Sequence, residues 1–143
     1  MRFMMIIKSD ETTETGREPT EAEIKAMSEF NQEMVDAGIL LAGEGLRESA
    51  KGARVKISGG RTTVTDGPFT EAKELVAGFW IFRADSLEEA LSWAKRVPSP
   101  PHIETNLEVR QVVEAEDFGD AFTPELREAE ERMRAQSAEA AKK

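Results

Sequence analysis

The eight residues LVAGFWIF at positions 75–82 form the stretch that decides the fold. Read as a strand, they place Phe79 and Ile81 on one face, since side chains alternate along a strand. Trp80 and Phe82 then point to the opposite face. Each of these side chains stabilises a fold by about 1.5–3 kcal/mol when it is buried. We therefore expect this strand to be covered on both faces.

Other segments place this strand in a sheet that is combined with helices. The stretch FMMII at residues 3–7 is apolar at every position and predicts a second strand with two covered faces. Thr20 with Glu23, and Ser86 with Glu89, form the capping-box pattern that starts a helix. The order strand, helix, several strands, helix, strand is that of a ferredoxin-like α+β fold, an antiparallel sheet with two helices on one face.

The second face of this sheet needs a cover that the two helices cannot provide. A second subunit supplies it most simply, sheet against sheet, in a closed two-fold dimer. The pattern of the strands therefore predicts a homodimer.

A hairpin is predicted around Gly59-Gly60, a two-residue turn of the kind that needs positive φ. The register set by this turn places Asp66 on the same face as Val55 and Val64. A partly desolvated carboxylate on an apolar face is a candidate catalytic residue, because it could act as a general base. In the alternative interpretation, the Asp66 side chain only caps the Gly67-Pro68 turn.

The C-terminal part predicts a separate element. Thr123 and Pro124 are typical of a helix start, and the apolar stripe behind them is thin, essentially Leu126, Ala129 and Met133. We interpret residues 1–122 as one α+β domain and residues 123–143 as a C-terminal helix that is solvated or docks a partner.

Composition excludes several classes of function. The chain has no cysteine, which excludes disulfides and sulfur-based zinc sites and fits a cytoplasmic protein. Its net charge is −9, so we expect no nucleic acid as a partner. No apolar run approaches the roughly 20 residues that span a bilayer, so we expect no membrane partner, and we read the apolar start as a strand rather than a signal peptide. No metal site or cofactor is predicted.

The segment DGPFTEAKE at residues 66–74, followed by Gly78-Phe79-Trp80, resembles the signature of YCII-related proteins that carry a DGPF motif. Three further pieces extend the resemblance from Arg2 to Phe122: AGEGL at residues 42–46, EVR at 108–110 and EDFG at 116–119.

This resemblance implies a dimeric α+β barrel of ferredoxin-like subunits. It also implies little about activity, since most members are uncharacterised. Some YCII relatives are thought to be small-molecule enzymes with a His and Asp pair. The Asp corresponds to Asp66, but no histidine lies in the first hundred residues, so the His is not carried over. DGPF-type members have also been linked to sigma-factor regulation.

Several charged residues are candidates for ligand binding. Arg110 and Glu108 lie on the face opposite Leu107 and Val109, where Arg110 could hold an anionic group in a dimer cleft. The alternative is an ion pair between the two. Glu44 could line the cleft beside Arg110, or it marks a strand bend.

Further candidates flank the central strand. Lys73, with Glu71 and Glu74, could form a site together with Asp66. In the alternative interpretation, these residues form a solvated turn with local salt bridges. His102, the sole histidine, is interpreted as a loop residue with no catalytic role. Trp80 and Phe82 could stack on an aromatic ligand, but we favour packing in the dimer core.

These candidates support two functions. The first is binding or transformation of a small anionic or aromatic molecule in a cleft of the dimer, by acid/base chemistry. The alternative is a non-catalytic regulatory or interaction module. A structural dimer with no ligand of its own ranks third.

Overall fold

A computed structural model describes residues 1–143, which divide into two compact units, residues 1–112 and 113–143. The strands are β1 (Arg2–Lys8), β2 (Leu40–Gly45), β3 (Ala53–Ser58), β4 (Arg61–Asp66), β5 (Val76–Arg83) and β6 (Leu107–Gln111). The α-helices are α1 (Glu11–Glu14), α2 (Glu21–Asp36), α3 (Leu87–Ala94) and α4 (Pro124–Ala140). Short 3-10 helices cover Ser49–Lys51, Ala72–Glu74 and Ala115–Ala121.

The first unit is built on a four-stranded sheet in the order β2-β5-β1-β6, with every pair antiparallel. The central pair is formed by β1 and β5. The prediction of an α+β fold with an antiparallel sheet is therefore confirmed. The pairing of two such sheets in a dimeric barrel stays a prediction.

Both long helices of this unit begin where the sequence predicts. The Thr20 and Ser86 side chains accept hydrogen bonds from the backbone N–H groups of Glu23 and Glu89, at 3.1 Å each. Gly38 has a φ of 72° and comes after α2, as expected for a left-handed helix end. The caps thus fix the ends of the helical layer.

The core lies between these helices and one face of the sheet. Phe3, Met5, Trp80 and Phe82 are buried there, and Phe30 and Met34 of α2 complete the same cluster with Ala90 and Ala94 of α3. The prediction that Trp80 and Phe82 pack in a dimer core is therefore wrong, because both pack under the helices of their own subunit.

The other face of the sheet carries Met4, Ile6, Phe79 and Ile81, which we call the outer face. The strand register brings these four side chains together, because Met4 pairs with Ile81 and Ile6 with Phe79. All four are half-buried. Helices α2 and α3 pack on the opposite face.

Strands β3 and β4 form a separate two-stranded hairpin, residues 53–66, which we call the arm. Its pairing is the predicted one, with Val55 opposite Val64 and Ala53 opposite Asp66. All residues of both strands are exposed. Asp66 therefore lies on the apolar face as predicted and is exposed within the single chain. The expected desolvation of its carboxylate at a dimer cleft stays a prediction.

The second unit contains α4, which begins at Pro124 with Thr123 as its cap. Leu126 and Met133 on its thin apolar stripe are more than half exposed. Phe118 and Phe122 contact each other with ring centroids 5.4 Å apart. No helix of the chain is long and apolar enough to cross a membrane. The predicted domain boundary after residue 122 stays a prediction.

Candidate functional site

A cavity of about 1070 Å³ lies in the first unit. Its lining comes from residues 10–19, the first half of α2, the end of β2, the start of β5 and the loop at residues 98–105. Its apolar wall comes from Ile7, Met27, Trp80, Pro100 and Ile103. An open, mainly apolar cavity of this size is typical of a small-molecule site.

The indole of Trp80 is held rigidly in the wall of this cavity. Its Nε1–H donates a hydrogen bond to Asn31 Oδ1 at 2.8 Å, and the edge of its ring system meets Phe30 at 5.9 Å between centroids. A Cβ on Gly43 would lie only 3.1 Å from a Trp80 ring carbon. The glycine of β2 therefore lets the strand pass close to the indole.

An ion pair lies at the start of α2, on the polar side of the cavity. Arg17 Nη2 contacts Glu23 Oε2 at 3.0 Å. The hydrogen bond from Arg17 is the main cause that lowers the pKa of Glu23 from its ordinary value of 4.5, with smaller contributions from the Arg17 charge, the Thr20 backbone bond and the charge of His102. Glu23 is therefore held as a carboxylate near neutral pH.

His102 belongs to the same wall and comes from the proline-rich loop after α3. Its side chain has no hydrogen-bond partner within the chain, and its charge acts on Glu23. The structure thus brings His102 and Glu23 together at one cavity, although they are 79 positions apart in the sequence.

The predicted residue Glu44 also contributes to the lining of the cavity. The register places it opposite Phe79, so it borders both the cavity and the outer face. Gly78 makes this approach of β2 and β5 feasible, since a Cβ there would lie 2.8 Å from the Glu44 carbonyl oxygen.

Asp66 lies away from this cavity, at the base of the arm. Its carboxylate forms no hydrogen bond or ion pair, so the alternative of a side-chain cap on the Gly67-Pro68 turn is not observed. The next residue along the chain is tightly packed: a Cβ on Gly67 would lie 1.7 Å from the Ser49 carbonyl oxygen. The DGPF motif is therefore fixed through its backbone rather than through its carboxylate.

Ser49 connects this motif to the start of the chain. Phe69 donates its backbone N–H to Ser49 Oγ at 3.0 Å, and Ser49 Oγ donates to Glu14 Oε2 at 2.5 Å. Glu14 also accepts from the Ser49 backbone N–H at 3.2 Å. Arg54 lies over the Phe69 ring, 3.9 Å from its centroid. These contacts anchor the arm to the body of the unit.

Arg110 and Glu108 lie on β6 with exposed side chains, on the face opposite the half-buried Leu107 and Val109, as predicted. Arg110 Nε is 3.9 Å from Glu108 Oε2, and Lys8 Nζ is 3.9 Å from Glu108 Oε1. This contact between Arg110 and Glu108 supports the ion-pair alternative. Lys73 is exposed in the 3-10 helix Ala72–Glu74.

The structure does not gather the predicted residues at one point of the subunit. Glu44 and Arg110 lie on the two edge strands, with β5 and β1 between them. Three strand spacings correspond to about 14 Å. No hydrogen bond or ion pair joins Asp66 to Arg110, Glu44 or Lys73. A site that combines these residues stays a prediction for the dimer.

Sequence reasoning missed the residues that do converge. The local pattern marks Glu23 only as a capping residue and His102 only as a loop histidine, and it does not mark Arg17 or Asn31 at all. The available signal was one side of α2, where Glu23, Met27 and Asn31 recur at spacings of four. Nothing in the sequence shows that the loop at residues 98–105 folds against that side.

Two comparisons bear on the whole first unit. A family model described as the YCII-related domain matches residues 1–116. An uncharacterised protein of Rhizobium meliloti (strain 1021) is 31% identical over 112 residues, which make up 77% of this chain and 90% of that protein. The residues of the family match include the whole cavity and the arm. Neither description names an activity.

Proposed function

This chain belongs to the YCII-related domain family, and we propose that it binds or transforms a small anionic or aromatic molecule in the cavity beside α2. The family as a whole has no stated activity, so the proposal depends on the cavity. Membership of the DGPF branch of the family is part of the proposal.

One observation carries this proposal. A cavity of about 1070 Å³ combines an apolar wall with an imidazole, a carboxylate and a guanidinium on one side. Titratable groups that converge in an apolar cavity are typical of functional sites. The pKa of Glu23 is lowered there, so a fixed negative charge stands beside His102.

His102 and Glu23 have complementary roles in the proposed acid/base chemistry. The His102 imidazole would accept a proton from a C–H or O–H group of the bound molecule. The Glu23 carboxylate would stabilise the resulting imidazolium, since an opposite charge nearby favours the charged form. The proton would return from His102 to the product. Glu23 stays ionised throughout because Arg17 holds it in that form.

The ligand class is inferred from the wall. Trp80, Met27 and Ile103 offer an apolar and partly aromatic surface, while His102 and Arg17 supply positive charge at the rim. A flat aromatic ring can pack against this apolar wall, and a carboxylate on that ring would point to the cations. Small aromatic carboxylates are therefore the probes of choice.

Benzoate and salicylate test this proposal by calorimetric titration of the full chain. We expect His102→Gln to weaken binding about tenfold or more, as loss of a hydrogen bond to a charged group contributes about 1.5–3 kcal/mol. Arg110→Met is the matched control, because Arg110 lies on β6 outside the cavity. Weaker binding in Arg110→Met with no change in His102→Gln would indicate that the ligand binds in the predicted dimer cleft instead. No binding of either probe at millimolar concentration counts against the proposal.

The outer face supports a homodimer as part of the same proposal. Helices α2 and α3 pack on the opposite face of the sheet, and a second copy of the sheet would cover the four apolar side chains of the outer face by two-fold symmetry. A dimer would also bring the Glu44 edge of one subunit near the outer face of the other. The predicted site of Asp66, Arg110, Glu108 and Lys73 belongs to this assembly.

A non-catalytic interaction module is the second candidate. It is favoured by α4, whose Leu126 and Met133 are exposed by 53% and 55%. Helices of this polarity gain most of their stability from packing. Affinity capture with the full chain and with a chain that ends at residue 122 would compare the bound partners. The same partners for both chains would exclude a role of α4 in such binding.

A further inference from the structure

The arm presents an apolar surface for which the subunit has no cover. Val55, Ile57 and Val64 share one face of the hairpin, and they are exposed by 62%, 77% and 65%. A lone two-stranded hairpin is only marginally stable in water. The strict alternation of apolar and polar residues along β3 is typical of a strand with one covered face.

The charge of the arm is opposite to that of the rest of the chain. Residues 53–66 contain three basic residues and one acidic residue, Asp66, a net charge of +2. The whole chain carries −9, so the residues outside the arm carry −11. The arm is therefore attracted to the body of another copy of the same chain, and less so at high salt.

The base of the arm is fixed rather than loose. Gly67 lies against the Ser49 carbonyl, and Ser49 is bonded to both Phe69 and Glu14. These bonds hold the hairpin at a set place on the body. A fixed, projecting hairpin loses little conformational freedom when it docks.

A second copy of the chain offers a surface that fits the arm. Its outer face is apolar, and at the β2 edge Glu44 lies in one row with Phe79 and Ile6. Lys56 and Arg61 lie on the opposite, polar face of the arm, so their positive charge acts on such a surface at longer range while the apolar face is buried.

From these observations, we propose that the Val55, Ile57 and Val64 face of the arm docks on a second copy of this chain and extends the interface of the two outer faces. The arm then adds its own contacts to those between the two sheets. Each contact occurs twice because of the two-fold symmetry. This proposal rests on the proposed homodimer but is independent of the cavity, since none of the arm residues lines the cavity.

The test is the dimer dissociation constant from sedimentation equilibrium of the full chain. Val55→Thr with Val64→Thr keeps the shape and strand preference of both residues but makes the face polar. We expect a dimer in the unchanged chain, at least tenfold weaker dimerisation in this double variant, and weaker dimerisation in the unchanged chain at high salt. Val35→Thr, at a residue of α2 exposed by 53%, is the matched control and should leave the dissociation constant unchanged.

Three results would overturn the proposal: an unchanged chain that is monomeric at about 100 µM, equal dissociation constants for the double variant and the control, or a dimer that is insensitive to salt. A monomer would mean that the arm faces another protein or solvent. If the double variant fails to fold, amide hydrogen exchange of the unchanged chain decides the question. Slower exchange in residues 53–66 at higher protein concentration supports docking, and exchange that is independent of concentration contradicts it.

Discussion

Gly67 lies so close to Ser49 that a Cβ on Gly67 would be 1.7 Å from the Ser49 carbonyl oxygen. The glycine of the DGPF segment is thus required by a backbone contact. The 3-10 helix Ser49–Lys51 is pressed against the turn that ends the arm, and this contact sets where the arm leaves the body.

We predict that Gly67→Ala destabilises the fold by about 2 kcal/mol or more, because the backbone of Ser49 would have to move and overpacking of this kind is costly. Urea unfolding measures the change in the free energy of unfolding. Gly45→Ala is the matched control, since a Cβ at Gly45 meets nothing within 4 Å. Equal stability of the two variants would show that the contact is not tight.

The Ser49 side chain links the DGPF segment to Glu14 near the start of the chain. Ser49→Ala removes the acceptor of the Phe69 backbone N–H and one partner of Glu14. We expect a loss of about 1–3 kcal/mol in the free energy of unfolding, since an unpaired buried donor carries that cost. Ser92→Ala is a control at an exposed serine of α3, where little change is expected. A loss no larger than that of the control would contradict this role of Ser49.

Arg17 controls the charge state of Glu23. In Arg17→Met, we expect the pKa of Glu23 to rise from its lowered position towards its ordinary value of 4.5. A carboxyl group with a lowered pKa stabilises the fold above its unfolded-state pKa, and this stabilisation is lost as the pH falls through its folded-state pKa. The stability difference between the unchanged chain and Arg17→Met should therefore be present at neutral pH and vanish in acid.

NMR titration of the side-chain carboxyl carbons checks this pKa directly. Lys25→Met, at an exposed residue of the same helix whose partner is Glu29, is the control and should leave the pKa of Glu23 in place. An unchanged pKa of Glu23 in Arg17→Met would mean that the ion pair does not persist in solution.

Asn31 is predicted to fix the cavity wall. Asn31→Ala leaves the Trp80 indole N–H without its acceptor at 2.8 Å, so the indole should become mobile or seek water. We expect a loss of about 1–2 kcal/mol in stability and faster solvent exchange of the Trp80 indole proton. The Trp93 indole is the internal control, because it does not line the cavity. Equal exchange rates of the Trp80 proton in the unchanged chain and the variant would contradict this role.

Local patterns are sufficient to predict much of the fold. The Gly59-Gly60 turn predicts the pairing of Val55 with Val64, and the caps predict where α2 and α3 begin. These features depend on residues within a few positions of one another. The side of the sheet on which Trp80 lies is not predictable in the same way, because both faces of β5 carry large apolar side chains. Its partners, Asn31 and Phe30, are about fifty positions away.

The candidate site shows the same limit more strongly. The turn register places Asp66 on the correct face of its hairpin, but its burial depends on what covers that face. His102 and Glu23 meet only because the loop at residues 98–105 folds beside the start of α2. A single histidine and a helix-capping glutamate carry no local pattern that predicts this meeting. Such a site becomes visible only in the folded chain.

The cavity beside α2 is tested most directly by the two tryptophan indole signals of the 15N-labelled full chain during titration with salicylate. Our account predicts that the Trp80 signal, assigned with Trp93→Phe, shifts as the probe saturates the cavity, while the Trp93 signal stays in place. Movement of neither signal up to millimolar probe, or shifts confined to the surroundings of Asp66 and Arg110, would contradict it.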